Sequence, residues 1–364
     1  RDEIIAAITN VVDSGRFLFG PDVQQLEAEC ARWSGVKHGV GCASGSDALL
    51  LSLMALDIKP GDEVICPSFT FFATASPVTR LGATPVFVDI DPFTFNIDPA
   101  ALEAAITPNT KAVIPVHLFG QCADMPRIME ICDRTGLTVI EDAAQAIGAN
   151  IAGRAAGSWG QVGCISFYPT KNLGGFGEGG MLVTNDSDFE DRLRLFAGHG
   201  MRPRYHHQVI GINSRLDTIQ AAALNVKMKH LESANIARQK NAQLYAALFD
   251  NAGLEDDIVL PRSLYGTGHV WNQYTVRVKN GQRDSLKEFL AERNIGAEIY
   301  YPIPVHAQEC YQICPNIAMD LPETNLAADE VLSLPIFPEL EEAEIHAVVA
   351  GVTSFYSMPQ SQAA

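Results

Sequence analysis

Thr138-Val139-Ile140-Glu141-Asp142-Ala143-Ala144-Gln145 is the stretch that decides the fold. A short β-branched run ends in two adjacent carboxylates. Runs this short and apolar are strands buried on both faces, the kind found in parallel sheets covered by helices. In an open α/β sheet the ligand site lies beyond the carboxyl ends of the strands. Adjacent strand residues point to opposite faces, so Glu141 and Asp142 must have different jobs. Either carboxylate can be an ordinary strand-end cap. Buried, it needs a cation or hydrogen-bond donors.

Working outward, the same kind of run recurs at Asp62 to Cys66, Thr84 to Val88, Ala112 to Val116, Cys164 to Phe167 and Met181 to Val183. Helix-length segments lie between several of them: Asp47 to Leu56, Thr70 to Leu81, Pro99 to Ile106 and Met125 to Arg134. This alternation predicts an α/β fold with a mostly parallel sheet. After Asn213 the pattern changes. Ser214 through Asp250 has helical periodicity and few breakers, which predicts one long helix or two with a bend. Tyr274 to Val278, Ser285 to Glu292 and Glu342 to Val352 then read as strand, helix and helix, enough for a small second α/β domain.

Composition narrows the function. At 364 residues the chain has length for two domains at about 150 residues each. Apolar residues at 47% exclude a disordered chain. A net charge of −17 excludes a general nucleic-acid binder, which needs a cationic face. No apolar run is long enough to span a bilayer, and Arg1-Asp2-Glu3 leads into an amphipathic segment instead of a secretion signal. The eight cysteines form no Cys-x-x-Cys pair, and Cys310 with Cys314 makes a poor zinc signature. The expectation is a cytoplasmic protein with reduced thiols, no metal and no membrane contact.

Two further motifs carry chemistry. Gly39-Val40-Gly41-Cys42-Ala43-Ser44-Gly45-Ser46-Asp47-Ala48-Leu49 reads as strand, small-residue turn and helix start. Free N–H groups at such a start attract an anion. The alternative is a tight turn with Ser46 or Asp47 as the helix cap. Ser166-Phe167-Tyr168-Pro169-Thr170-Lys171-Asn172-Leu173-Gly174-Gly175-Phe176-Gly177-Glu178-Gly179-Gly180 places one lysine in a glycine-rich loop after a strand. By itself Lys171 is a surface charge; beside the other two motifs it is a candidate nucleophile. A helix start for a phosphate, a strand-end Asp for a pyridinium and a lysine for an aldehyde are the anchoring needs of pyridoxal 5′-phosphate.

At these residues the chain resembles the DegT/DnrJ/EryC1/StrS family of pyridoxal-phosphate-dependent nucleotide-sugar aminotransferases. The resemblance also rests on Phe19-Gly20-Pro21, Pro60 to Val64, Pro85 to Asp89, Ile114 to Gln121, Asn213 to Asp217 and Tyr301 to Pro304. The stretch from Arg204 to Thr218 is similar to the members that aminate UDP-linked 3-keto sugars. Tyr300 stands where some relatives have His.

The resemblance implies a fold-type-I, aspartate-aminotransferase-like architecture. A mainly parallel seven-stranded sheet would lie in a large domain over 1–235, with a small C-terminal α/β domain over 236–364. It implies that Lys171 forms the Schiff base with the cofactor and that Asp142 pairs with the pyridine nitrogen. Gln145 would lie near the phenolic oxygen and Phe71 on the ring, with Gly45, Ser46 and Ser166 around the phosphate. Asn213 would reach the phosphate of a partner subunit, making a homodimer with shared active sites. Arg215, His206, His207, Tyr300, Tyr301 and His306 are the substrate candidates. The implied reaction moves an amino group from L-glutamate to a keto group, at C3, of a nucleotide-linked sugar for surface polysaccharide synthesis. The rivals are a 4-keto-sugar or cyclitol aminotransferase, a dehydratase of the same fold that replaces the lysine with His, and a non-catalytic binding protein. Lys171 speaks against the dehydratase.

Overall fold

The computed structural model describes residues 1–264, 268–312 and 320–358. Its strands are β1 (His38–Cys42), β2 (Glu63–Pro67), β3 (Thr84–Val88), β4 (Thr110–Val113), β5 (Thr138–Asp142), β6 (Asn150–Ile151), β7 (Arg154–Ala155), β8 (Val162–Ser166), β9 (Gly180–Thr184), β10 (Ile258–Val259), β11 (Tyr274–Val278) and β12 (Val331–Leu334). The helices are α1 (Asp2–Ser14), α2 (Pro21–Ser34), α3 (Gly45–Ala55), α4 (Ser76–Arg80), α5 (Pro99–Ala104), α6 (Met125–Thr135), α7 (Ser187–Ala197), α8 (Thr218–Met228), α9 (Leu231–Ala252), α10 (Arg283–Ala291), α11 (Glu309–Gln312), α12 (Pro322–Glu330) and α13 (Glu342–Tyr356).

Seven strands form one sheet in the order β1-β9-β8-β5-β4-β2-β3. Only β9 runs against its neighbours; the pairs β8–β5, β5–β4, β4–β2 and β2–β3 are parallel. The carboxyl ends of β1, β2, β5 and β8 therefore share one edge. The strands feed two cores by strict alternation. Ile65, Val113, Val139 and Ile165 pack with Leu26 of α2 and Ile128 of α6. Val64, Ala112, Ile140 and Cys164 pack on the opposite face with Leu49 of α3 and Leu193 of α7. This is the α/β architecture that the alternation predicts.

A second sheet, β10-β11-β12, is antiparallel and builds its own core with α9, α10 and α13. The helical stretch after Ser214 divides into α8 and α9, separated by Lys229 and His230. Leu231 at the start of α9 packs in the first core, whereas Tyr245 and Phe249 pack in the second sheet's core. One helix thus links the two regions.

The Thr70 to Leu81 helix is not formed as a unit. Phe72–Thr74 is a single 3₁₀ turn and α4 starts only at Ser76, with Pro77 in its first turn. Proline lacks an N–H to donate within a helix and is tolerated at its start. Thr70 and Thr74 spend their hydroxyls on each other and on the strand end rather than on helix packing. Cys314 and the tail from Pro359 lie outside the described residues.

Candidate active site

Asp142 ends β5 on the edge where β1, β2 and β8 also end. It is buried, at 5% exposure. Thr74 Oγ1 donates to its Oδ2 at 2.8 Å, and Ala144 N–H donates to its Oδ1 at 3.2 Å. Thr74 gives its proton to the carboxylate, so Thr70 Oγ1 must donate to Thr74, at 2.9 Å. Burial pushes the Asp142 carboxyl above its ordinary range, against the pull of these donors and of Lys171 and His117. Such a carboxylate favours a cationic ligand.

Glu141 turns the other way, as strand alternation requires. It accepts from Gly157 N at 2.8 Å, Trp159 N at 2.6 Å and Gly160 N at 2.8 Å. His117 Nε2 lies 2.9 Å from its Oε2. His117 Nδ1 accepts from Ala123 N–H at 3.1 Å, which assigns the ring proton to Nε2. Glu141 is thus a satisfied structural anchor, and Asp142 alone faces the site.

Lys171 follows β8, its N–H donating to Tyr168 O at 2.9 Å. Burial lowers its amine to about 8, although the Asp142 carboxylate pulls upward. An amine with that value is part-neutral near pH 7 and fit for nucleophilic and proton-transfer work.

The turn after β1 supplies the anion cradle. The cap of α3 is Ser44, whose Oγ accepts from Asp47 N–H at 3.1 Å, and not Ser46 or Asp47. The helix therefore starts two or three residues earlier than those caps would place it, and exposed Ser46 lies in its first turn. A Cβ at Gly45 would sit 2.8 Å from Cβ of Ser166, so only glycine lets the helix start approach the end of β8. Ser166 and the free N–H groups of an 11-residue helix thus converge.

Phe71 is 57% exposed, which rules out a core role. It stands 6.1 Å from the Tyr301 ring, which also contacts Phe69 at 6.2 Å and Tyr300 at 6.0 Å. Burial, and then the charge of Asp142, pushes the Tyr301 hydroxyl up. His306 Nδ1 is 2.7 Å from Oγ of Ser68, just beyond β2. Gln145 Oε1 accepts from Phe119 N–H at 2.7 Å, which leaves its NH₂ group as the end available to a ligand. This donor set fits pyridoxal phosphate: a helix start for the phosphate, a buried carboxylate for a ring cation, an amine of lowered pKa for an aldehyde and an exposed aromatic face.

Asn213, Arg215, His206 and His207 are not bonded into this cluster, although Ser214, beside Asn213, accepts from Ala43 N–H at 3.1 Å next to the anion cradle. Asn213 is exposed and accepts from Arg215, whose guanidinium sits 5.7 Å over the Phe19 ring. His206 and His207 are on an exposed loop, with His207 Nδ1 2.9 Å from His199 O. Among the described residues, no hydrogen bond or ring contact joins these four to Lys171, Asp142 or Ser166. The sequence reading also missed Thr74, which it placed inside a helix, and the asparagines around Lys171. For Thr74 there is no local signal.

Comparison with known proteins agrees with this site. The profile of the DegT/DnrJ/EryC1/StrS aminotransferase family matches residues 1–353. A UDP-N-acetyl-3-dehydro-alpha-D-glucosamine 3-aminotransferase of Acidithiobacillus ferrooxidans is 50% identical over 345 residues, 95% of this chain and 91% of that protein. A protein of Geobacillus stearothermophilus described as a pleiotropic regulatory protein is 49% identical over 356 residues, 98% of this chain and 95% of that protein. The crystal structure of Streptomyces venezuelae DesV in complex with a ketimine intermediate superimposes with a TM-score of 0.94 at 44% identity, covering 99% of this chain and 96% of that one. The chain belongs to the DegT/DnrJ/EryC1/StrS aminotransferase family and is a pyridoxal-phosphate-dependent aminotransferase.

Proposed function

We propose that the enzyme moves the amino group of L-glutamate to C3 of a UDP-linked 3-keto sugar, with Lys171 and Asp142 as its catalytic residues. The observation that carries this reading is the convergence at one sheet edge of a low-pKa amine, a buried carboxylate and a helix start opened by Gly45. The bound cofactor supplies an aldehyde for the nitrogen and a ring that takes up the electron pair left at the donor carbon. Asp142 holds the proton on the ring nitrogen. Lys171 carries a proton away from the donor carbon and returns it across the exchange. Gly45, Ser46 and Ser166 would hold the phosphate, Phe71 would cover a ring face and the Gln145 NH₂ would be the donor for the ring oxygen.

Substrate identity is carried by the 3-aminotransferase relative together with the Arg204 to Thr218 stretch. Tyr300, Tyr301 and His306 lie on the substrate side of this chain's own site. The test compares 3-keto and 4-keto UDP and dTDP sugars under equal glutamate. The 3-keto UDP sugar is expected to give the highest kcat/KM. A higher value for a 4-keto sugar overturns the C3 assignment and leaves amino transfer standing.

The working unit is a homodimer, and the two-domain division falls at 235/236 within α9. Phe17, Leu18, Phe19 and Phe176 are exposed, an apolar set that a second copy would cover. Asn213, His206 and His207 are exposed, and among the described residues neither they nor Arg215 bond to this chain's Lys171, which supports a role at the partner's site. If so, mixing Lys171→Ala and Asn213→Ala subunits rebuilds one intact site per heterodimer. Activity is expected to recover towards a quarter of wild type, because random pairing makes about half the dimers mixed and each has one good site. Heterodimers without recovery would mean self-contained subunits. Among the described residues no helix is long and apolar enough to cross a membrane. A cytoplasmic location fits nucleotide-sugar chemistry.

A further inference from the structure

The loop that carries Lys171 is gripped by side-chain amides that the reaction itself does not use. Asn172 spends both of its amide hydrogens: Nδ2 donates to Asn235 Oδ1 at 2.8 Å and to Val270 O at 3.0 Å. Its Oδ1 accepts from Asn272 Nδ2 at 2.8 Å. Asn235, on α9, passes the chain on by donating to Ile147 O at 3.2 Å. Asn235 and Asn272 are buried and Asn172 is half-buried, so the far ends of these bonds lie where a missing partner costs most. Space is reserved for this arrangement. Gly148 has φ +91°, and a Cβ there would lie 2.8 Å from Asn235 Nδ2.

The anchors are informative. Ile147 lies two residues beyond Gln145, in the turn that follows Asp142. Asn272 is flanked by Trp271 and by Gln273, whose N–H donates to Phe119 O at 3.3 Å. Phe119 in turn holds Gln145. The cluster therefore ties the Lys171 loop to both loops that face it, through α9 and the 270–273 segment. A chain neighbour whose side chain is fixed by three hydrogen bonds to two separate segments, α9 and 270–272, leaves Lys171 little room to swing towards solvent.

We propose that Asn172, Asn235 and Asn272 form a positioning cluster that fixes the Lys171 amine against Asp142, with Asn235 acting through Asn172. The inference rests on the reading of Lys171 as the reactive amine. Loosening the loop admits water to the amine and returns it towards the ordinary lysine range of about 10.5. Asp142 is the charged group that faces it.

The test uses cofactor-free protein as well as turnover. Acetic anhydride modification of Lys171 is followed by mass spectrometry as a function of pH, for wild type, Asn172→Ala, Asn235→Ala and the double variant. In wild type the rate is expected to rise with a midpoint near 8. Each single variant is expected to slow Lys171 modification about tenfold at pH 7.5, the effect of roughly a one-unit rise. In the loaded enzyme kcat falls by a similar factor, while KM for glutamate stays within about twofold. The double variant is expected to be no worse than Asn172→Ala, because residues acting in series are not additive.

Soluble, folded variants with wild-type Lys171 reactivity and kcat overturn the cluster. So do additive losses, which overturn the serial link. If Asn235→Ala does not fold, Asn172→Ser decides by the same two readouts. A wild-type Lys171 that reacts no faster than other lysines overturns the underlying reading instead.

Discussion

Lys171→Ala is expected to lower transamination by at least about 10⁴-fold, because it removes both the group that exchanges with the substrate nitrogen and the proton carrier. Reduction of the wild-type holoenzyme with borohydride should leave the cofactor on the peptide containing Lys171, and labelling of any other lysine would sink the assignment. The fold should survive, and stability gives an independent readout. The folded-state amine sits near 8, below the ordinary value of about 10.5. Between those two values the unfolded chain binds more protons than the folded one, so stability of the cofactor-free protein rises with pH across the window. Below about 8 the full penalty applies. Lys171→Ala removes this slope. The variant should therefore gain most on wild type in thermal unfolding at pH 6 to 7, and the gain should fade as pH climbs towards 10.5. An unchanged pH slope would mean that Lys171 is an ordinary solvated lysine.

The parallel sheet was legible because its strands are buried on both faces. Six short apolar runs and the strand that opens the Gly39 segment account for all seven, with the ends of the six displaced by at most three residues. Strand direction was less legible. A lone antiparallel strand such as β9 looks no different in composition from its parallel neighbours, and nothing local in Met181 to Val183 tells which way it runs. The Thr70 to Leu81 error has a different cause. Helical spacing there is real, but Pro77 allows α4 to begin only at Ser76, and the two threonines are committed to Asp142, which is 68 residues from Thr74. Local propensity cannot see a partner at that distance.

Within the site, legibility followed chemistry. Lys171, Asp142 and the Gly45 turn were visible because each is an unusual residue at the end of a strand. The split between Glu141 and Asp142 followed from alternation alone, and the bonds made by Glu141 bear it out. Thr74, Asn235 and Asn272 were invisible: they are common polar residues whose role comes from contacts across 68, 63 and 100 residues. The helix cap was misplaced by two or three residues because Ser44, Ser46 and Asp47 are all good caps. What decided among them is steric. Gly45 has to meet Ser166 without a Cβ, which fixes the helix start at Gly45 and leaves the cap to Ser44.

Replacing Asp142 by Asn is the more discriminating experiment, because it removes the charge at the cost of one acceptor: with Thr74 on the amide oxygen, the Ala144 N–H faces the NH₂ group. Thr74 can still donate to the amide oxygen, so the Thr70–Thr74 chain and the packing survive. In the proposed role of Asp142, the ring nitrogen of the cofactor would lose its counter-charge and the ring would be a weaker electron sink. A fall in kcat of about 10²- to 10⁴-fold is expected, with Asp142→Ala at least as severe because the hydrogen-bond partner of Thr74 also goes. Stability should move the other way. In cofactor-free protein a buried carboxyl held above its ordinary range disfavours folding as pH rises, since the folded state keeps a proton the unfolded chain gives up. Asp142→Asn relieves that cost. The cofactor-free variant should therefore melt higher than wild type at neutral pH, yet gain less on cofactor addition, because it has no charge to pair with the ring cation. Near-normal turnover, or equal stabilisation of both proteins by the cofactor, would show that Asp142 is a strand-end cap and that the ring nitrogen finds its partner elsewhere.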